Sequence, residues 1–163
     1  MAFDGFLKLD GIPGSDSGAA TGSLAGFIVI QSIQFSIHRR SSMRIDPHEE
    51  GEDPPDGMAQ TSRIVVTKSY DLTSTSLIGA CNDNKRIKTG EIQLFRTQPA
   101  GNRFMYSKIV MKNIVIAGVS LPFSLEGHEV LELDPSSVEI TYFSMSRVGP
   151  NGQSMIELKT IHH

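Results

Sequence analysis

The one cysteine of the chain, Cys81, sits in the stretch SYDLTSTSLIGACNDNK, residues 69 to 85, just past a cluster of hydroxyl residues. A thiol with a histidine base nearby is the constellation of a cysteine hydrolase, and the 5 histidines of the chain could supply that base. The same stretch also reads as packing. Leu77, Ile78 and Cys81 recur at i, i+1 and i+4, a short apolar stripe on a helix, and unpaired cysteine is among the most buried residue types. Thr73 or Ser74 would then be the N-cap acceptor, and Asn82 to Asn84 would close the helix. Packing is the preferred reading of Cys81, and no catalytic residue is assigned.

Other chemistry is equally thin. The acidic segment HEEGEDPPD, residues 48 to 56, offers the oxygen ligands that Ca²⁺ selects, but it lacks the ligand spacing of a calcium loop. His48 has no second histidine or cysteine at metal spacing. Phosphate loops, dinucleotide fingerprints, nucleophile elbows and zinc-protease motifs are all missing, so no metal and no cofactor is expected. The carboxylates of Glu126, Glu129, Glu132 and Asp134 are expected in a loop and at a strand edge, in water.

These residues must be held by some scaffold. With 163 residues, 39% hydrophobic and 20% charged, the chain has the makings of a folded domain, and residues 1–163 are expected to form one. A net charge of -3 with scattered Lys and Arg argues against nucleic acid as a partner. A single cysteine fits a reducing compartment. The start MAFDGFLKLDG lacks the layout of a signal peptide, and LAGFIVI is far too short for a membrane span, so cytoplasmic synthesis without membrane insertion is expected. His162 and His163 are left out of any site.

Alternation with period two dominates, which predicts a mainly β protein. A first strand is expected over about residues 3 to 9, with Phe3, Leu7 and Leu9 on one face. A second runs through GFIVIQSIQFSIH, with Phe27, Val29, Ile33, Phe35 and Ile37 on the core face and Ser32, Gln34, Ser36 and His38 on the wet one. Residues 39–60 break the pattern with three prolines and read as one long extended loop. Strands follow in SRIVVTKSY, RIKTGEIQLFRT, RFMYSKIVMKNIVIAGVS, SSVEITYFSMS and SMIELKTI, with hairpin loops at QPAGN and RVGPNG. Seven or eight strands and one helix suggest a sandwich or barrel.

Three fragments in this order, FLKLDGIPG, RIVVTKSYDLTSTSL and GEIQLFRTQPAGNRFMYSKIVMKNIVIAGVS, resemble the haemolysin-coregulated protein (Hcp) family, the tube subunits of bacterial type VI secretion. Thr67, Lys68 and Asp71 match the approach to the family's helix, and Tyr106, Lys108 and Asn113 match its long strand. The likeness runs from Met1 to about Met145. QSMIELKTIHH departs from the family's common tryptophan-bearing ending.

The resemblance implies a tail-tube-like β-barrel of two packed antiparallel sheets with one short helix. It implies a structural, non-enzymatic subunit that forms hexameric rings stacking into a hollow tube. Such subunits leave the cell through the type VI machinery and carry effectors in the lumen; spike, contractile sheath and effector proteins are their partners. A chain of this length is expected to be the plain tube form without a C-terminal effector extension. Ser32, Gln34 and Ser36 are the lumen candidates. Arg39, Arg40 and Arg44 on one side, and Glu49, Glu50, Glu52 and Asp53 on the other, suit a head-to-tail subunit contact that pairs basic with acidic surface. The alternative is a small cytosolic β-barrel binding module or a Cys/His hydrolase.

Overall fold

The structure is a computed structural model that describes residues 4–14, 24–39, 59–97, 101, 103–123, 127–146 and 149–159. Ten strands and one helix are built from them: β1 (Asp4–Leu9), β2 (Ile28–Ile30), β3 (Ser32–Gln34), β4 (Ile37–Arg39), β5 (Ala59–Thr61), β6 (Ile64–Ser69), α1 (Thr73–Asn82), β7 (Arg86–Thr97), β8 (Arg103–Ser120), β9 (His128–Ser146) and β10 (Gly149–Lys159). The mainly β reading holds, and β7 and β8 have the predicted limits. They pair antiparallel, as their hairpin signal required, with Thr97 opposite Arg103.

One antiparallel sheet carries most of the strands, in the order β2-β1-β7-β8-β9-β6-β3, with β10 added to β9. The strands at its two ends, β2 and β3, are consecutive in the chain and separated only by Gln31. The Gln31 amide donates to the Thr67 carbonyl at 2.7 Å, so residues 28–34 pair with β1 at one end of the sheet and with β6 at the other. The sheet therefore curls until its ends meet, which gives the barrel-like form. The packed layers expected from the sequence are parts of this one curled sheet.

The change of partner at Gln31 corrects the expected faces of this segment. Ile28 and Ile30 are buried and Val29 is exposed, whereas past Gln31 the odd-numbered Ile33 and Phe35 turn toward the core. A bend of one residue exchanges the faces, because side chains alternate with period two. Ile37, also expected in the core, is exposed and belongs to a separate two-stranded ladder, β4 with β5. That ladder corrects the loop limits too: Arg39 pairs with Ala59 and His38 with Gln60, so the ends of 39–60 are strand.

A second face exchange runs across three neighbouring strands at one level. In β7 both Lys88 and Thr89 face outward between buried Ile87 and Gly90; in β8 Lys112 and Asn113 do so between Met111 and Ile114. In β9 Ser136 and Ser137 stand half-buried between Pro135 and Val138. Register places Thr89, Lys112 and Ser137 side by side. Asn113 takes a φ of 48°, a left-handed conformation that asparagine tolerates better than most residues. The Ser136 hydroxyl donates to the Lys112 carbonyl at 3.0 Å and ties two of the bends together. Because all three strands bend in step, apolar residues stay on the core side above and below the line.

The core unites Leu7, Leu9, Ile28, Ile30, Ile64, Val66, Ile92, Met111, Ile114, Leu131 and Leu133 with Leu77 and Ala80 of α1. A smaller cluster on the other face joins Phe6, Leu24 and Phe27 to Phe95. Thus β1 is covered on both faces. Gly90 sits where a Cβ would lie 2.6 Å from Ile114 Cδ1 and 3.0 Å from Leu9 Cδ2, so close packing there excludes a side chain.

Candidate functional site

β6 buries Ile64, Val66 and Lys68 on one face, so a lysine completes an apolar stripe and enters the core. Its Nζ donates at 2.9 Å to Glu129 Oε2, at 2.9 Å to Asp71 Oδ1, at 2.9 Å to the Ser69 carbonyl and at 3.1 Å to Ser74 Oγ. Four acceptors surround three N–H groups. Glu129 stands directly across the ladder, since β6 and β9 pair Lys68 with Glu129. Neither side chain has any exposed surface. Burial without a partner would cost each charge several kcal/mol, so each is tolerable only because of the other.

The helix start is built into the same cluster. Ser74 Oγ donates to Glu129 Oε2 at 2.5 Å and accepts the Asp71 amide at 3.1 Å. Asp71 Oδ1 accepts the Thr73 amide at 2.9 Å and the Thr73 hydroxyl at 2.5 Å. The capping acceptor is therefore the carboxylate of Asp71 and not a hydroxyl at Thr73 or Ser74; those hydroxyls are buried and serve the ion cluster. Burial raises the pKa of Asp71, but bonds from the Thr73 hydroxyl and the Lys68 ammonium outweigh it and hold the carboxyl below its ordinary value. At the other end of α1 the Asn84 amide bonds to the Cys81 carbonyl and the Lys85 amide to the Ala80 carbonyl, with Asn84 at φ 49°. This Schellman closure bears out the expected stop at Asn82 to Asn84.

The buried stripe of α1 is Thr73, Ser74, Leu77 and Ala80. Cys81 is half-buried and packs on the core as expected, whereas Ile78, placed beside it by the sequence reading, is exposed. Glu129 was expected in water and is buried. A signal for it was present: Glu129, Leu131 and Leu133 share one parity, as do Ile64, Val66 and Lys68. Glu132, of the opposite parity, pairs instead with Arg63 at 2.9 Å near the surface.

Next to the cluster lies a cavity of about 140 Å³ lined by Tyr70, Leu121, Pro122, Phe123, Gly127 and Glu129. Tyr70 is 58% exposed and Phe123 92%. Glu129 Oε1 is buried and has no hydrogen-bond partner among the described residues.

Ser32 and Gln34, the lumen candidates on β3, are exposed, while Ser36 is half-buried. The Ser36 amide donates to Ser62 Oγ at 2.9 Å, and its hydroxyl lies 3.0 Å from His38 Nε2. Of the contact residues, Arg39 lies in β4 opposite Ala59; Arg40, Arg44, Glu49, Glu50, Glu52 and Asp53 lie outside the described residues. On the outer face of the sheet, Lys8 stands opposite Glu91, and Lys108 Nζ reaches Glu91 Oε2 at 3.2 Å. Arg103 lies over the rings of Phe6 and Phe95 and reaches Asp4 Oδ2 at 3.3 Å. These charge pairs and stacks hold a polar outer surface in place over β1, β7 and β8.

Comparison with known proteins agrees with this architecture. The family model described as "Type VI secretion system effector, Hcp" matches residues 6–146. The "Major exported protein" of Pseudomonas aeruginosa is 29% identical over 75 residues, 46% of this chain and 44% of that relative, so the match spans less than half of the relative's length. Among solved structures, a type six secretion system protein superposes with a TM-score of 0.79 at 18% identity, over 97% of this chain and 96% of the other. Hcp1 from Salmonella typhimurium superposes with a TM-score of 0.73 at 22% identity, over 98% and 95%. Secreted protein Hcp3 from Pseudomonas aeruginosa superposes with a TM-score of 0.67 at 16% identity, over 98% and 100%. These likenesses show the shared fold, and with a family match that spans most of the chain the conclusion is that this protein belongs to the Hcp family of the type VI secretion system.

Proposed function

We propose that the chain is a tube subunit: copies associate into hexameric rings, the rings stack into the inner tube of a type VI system, and the tube is secreted with effectors in its lumen. The match of residues 6–146 to the Hcp family carries this reading. The curled sheet supports it, since a wall needs an apolar interior and polar outer surfaces, and here Ser32, Gln34, Lys8, Glu91 and Lys108 supply polar surface on its strands. Spike, sheath and effector proteins are the partners this function requires. Residues 1–163 act as one tube module, with Ser32, Gln34 and Ser36 toward the lumen. Arg39, Arg40 and Arg44 of one subunit meet Glu49, Glu50, Glu52 and Asp53 of the next.

Negative-stain imaging with mass photometry tests the reading. Rings with a central hole and a mass of six subunits are expected; a monodisperse monomer at all concentrations would sink it. Reversal of Arg39 and Arg40 to glutamate is expected to shift rings toward smaller particles, and unchanged rings would remove the proposed contact.

A further inference from the structure

We infer that the end of the curled sheet around Arg96 is a docking surface for a carboxylate-bearing segment of a partner protein, with the Arg96 guanidinium as the fork that takes the carboxylate. Arg96 is exposed near the end of β7, opposite Phe104 of β8. Its Cζ lies over the Tyr106 ring, 4.1 Å from the centroid. Tyr142 of β9 meets Tyr106 edge to face, with centroids 6.5 Å apart, and is 46% exposed. The ring holds the guanidinium and engages its face, which leaves the N–H groups at its edge for another acceptor. Among the described residues Arg96 enters no ion pair. Arg103 is the occupied counterpart: it lies over Phe6 and Phe95, and its Nε reaches Asp4 Oδ2 at 3.3 Å. Tyr106 packs against the main core and Phe95 against the smaller cluster. Two stacked arginines therefore stand on opposite faces of one hairpin, one with a carboxylate and one without.

Charge complementarity selects the occupant. The sequence has no Asp or Glu between Glu91 and Glu126, nor between Glu139 and Glu157, and these stretches build the β7–β8 and β9–β10 hairpin ends. Register brings the two ends together, with Ser107 opposite Tyr142. Asp4, opposite Phe95, is the carboxylate that β1 adds here, and Arg103 takes it; Glu91 is taken by Lys108 at 3.2 Å. One end of a chain of net charge -3 thus displays an open cation, which an acidic partner surface complements. An arginine fork matches a carboxylate with two parallel hydrogen bonds. The exposed Tyr142 ring beside it gives apolar surface to cover, so the segment that fits carries an aromatic or aliphatic residue next to its Asp or Glu. A nucleic acid strand needs several cations along its path and meets the repulsion of the net negative charge, whereas the open fork here is a single one.

Fluorescence anisotropy tests this with a labelled peptide, blocked at both ends, that carries a glutamate between two phenylalanines and a glycine at each end. Saturable binding to the wild type is expected, weakened about tenfold or more in Arg96→Lys, which keeps the charge and loses the fork. Tyr142→Ala should weaken it several-fold. The same peptide with glutamine in place of glutamate should bind the wild type about tenfold more weakly. Both substituted residues are exposed, and circular dichroism checks that the variants fold. No binding by the wild type, equal binding by Arg96→Lys, or equal binding of the two peptides overturns the proposal. A labelled oligothymidylate that binds more tightly than the peptide, and through Arg96, would reassign the fork to nucleic acid and overturn the protein partner. Mass photometry without peptide covers the second copy: Arg96→Lys should leave the oligomeric state unchanged, and an oligomer lost in this variant would give the fork to a second copy and overturn the partner proposed here.

Discussion

Lys68 Nζ lies 2.9 Å from Glu129 Oε2, both side chains fully buried and directly opposed across the β6–β9 ladder. The pair locks two strands that are distant in sequence, and through Ser74 and Asp71 it also fixes where α1 begins. Register and helix entry thus depend on a single ammonium. Slipping β9 by one residue would carry Glu129 to the opposite face and leave Lys68 facing a side chain that cannot pair with it.

Removing one partner leaves a buried charge uncompensated. Lys68→Met is expected to destabilise the fold by about 3–5 kcal/mol. The double variant Lys68→Met with Glu129→Met should recover most of that loss. Chemical denaturation of the wild type, the single variants Lys68→Met and Glu129→Met and the double variant measures it, and additive losses in the double variant would mean the two charges do not stabilise each other.

Asp71 sets an acid limit. Its carboxyl is held below its ordinary value in the fold, so its contribution is complete above the unfolded value and is lost as pH falls through the lower, folded one. Denaturation midpoints should therefore fall as the pH drops below about 4, the ordinary range of an aspartate, more steeply in the wild type than in Asp71→Asn. Equal slopes in both proteins would remove Asp71 as a source of the acid sensitivity.

Gly90→Ala places a methyl against Ile114, Leu9 and Met111 in the core and should cost about 1–3 kcal/mol, read as a lowered Tm. An unchanged Tm would mean that these side chains yield without penalty.

Asn113 tests the bend line. Asn113→Gly should be near neutral, since glycine reaches positive φ freely, whereas Asn113→Val should lose about 1–2 kcal/mol by forcing a β-branched residue into the left-handed region. Comparable stability of the two variants would argue against the left-handed backbone at this position.

Cys81→Ala should leave the proposed ring assembly largely intact and lower stability by about 1 kcal/mol or less, as expected for a half-buried thiol on the core. Rapid native-state labelling of the thiol would contradict its packing role.

The amino-acid sequence alone was enough for the mainly β class, the limits of β7 and β8 and the stop of α1 at Asn82 to Asn84, because alternation, turn residues and helix-closing asparagines are local signals; the family came from the resemblance of three ordered fragments. It did not determine which face of residues 27 to 38 is buried. That depends on Gln31 passing the segment from β1 to β6, two strands that the chain brings together only on curling. Nor did it determine the role of Glu129. Its parity with Leu131 and Leu133 was legible, but a buried carboxylate is tolerable only with a cation opposite, and the register that brings Lys68 there joins residues 61 positions apart. Local sequence chose the elements; the closure of the sheet decided which charges had to meet inside it.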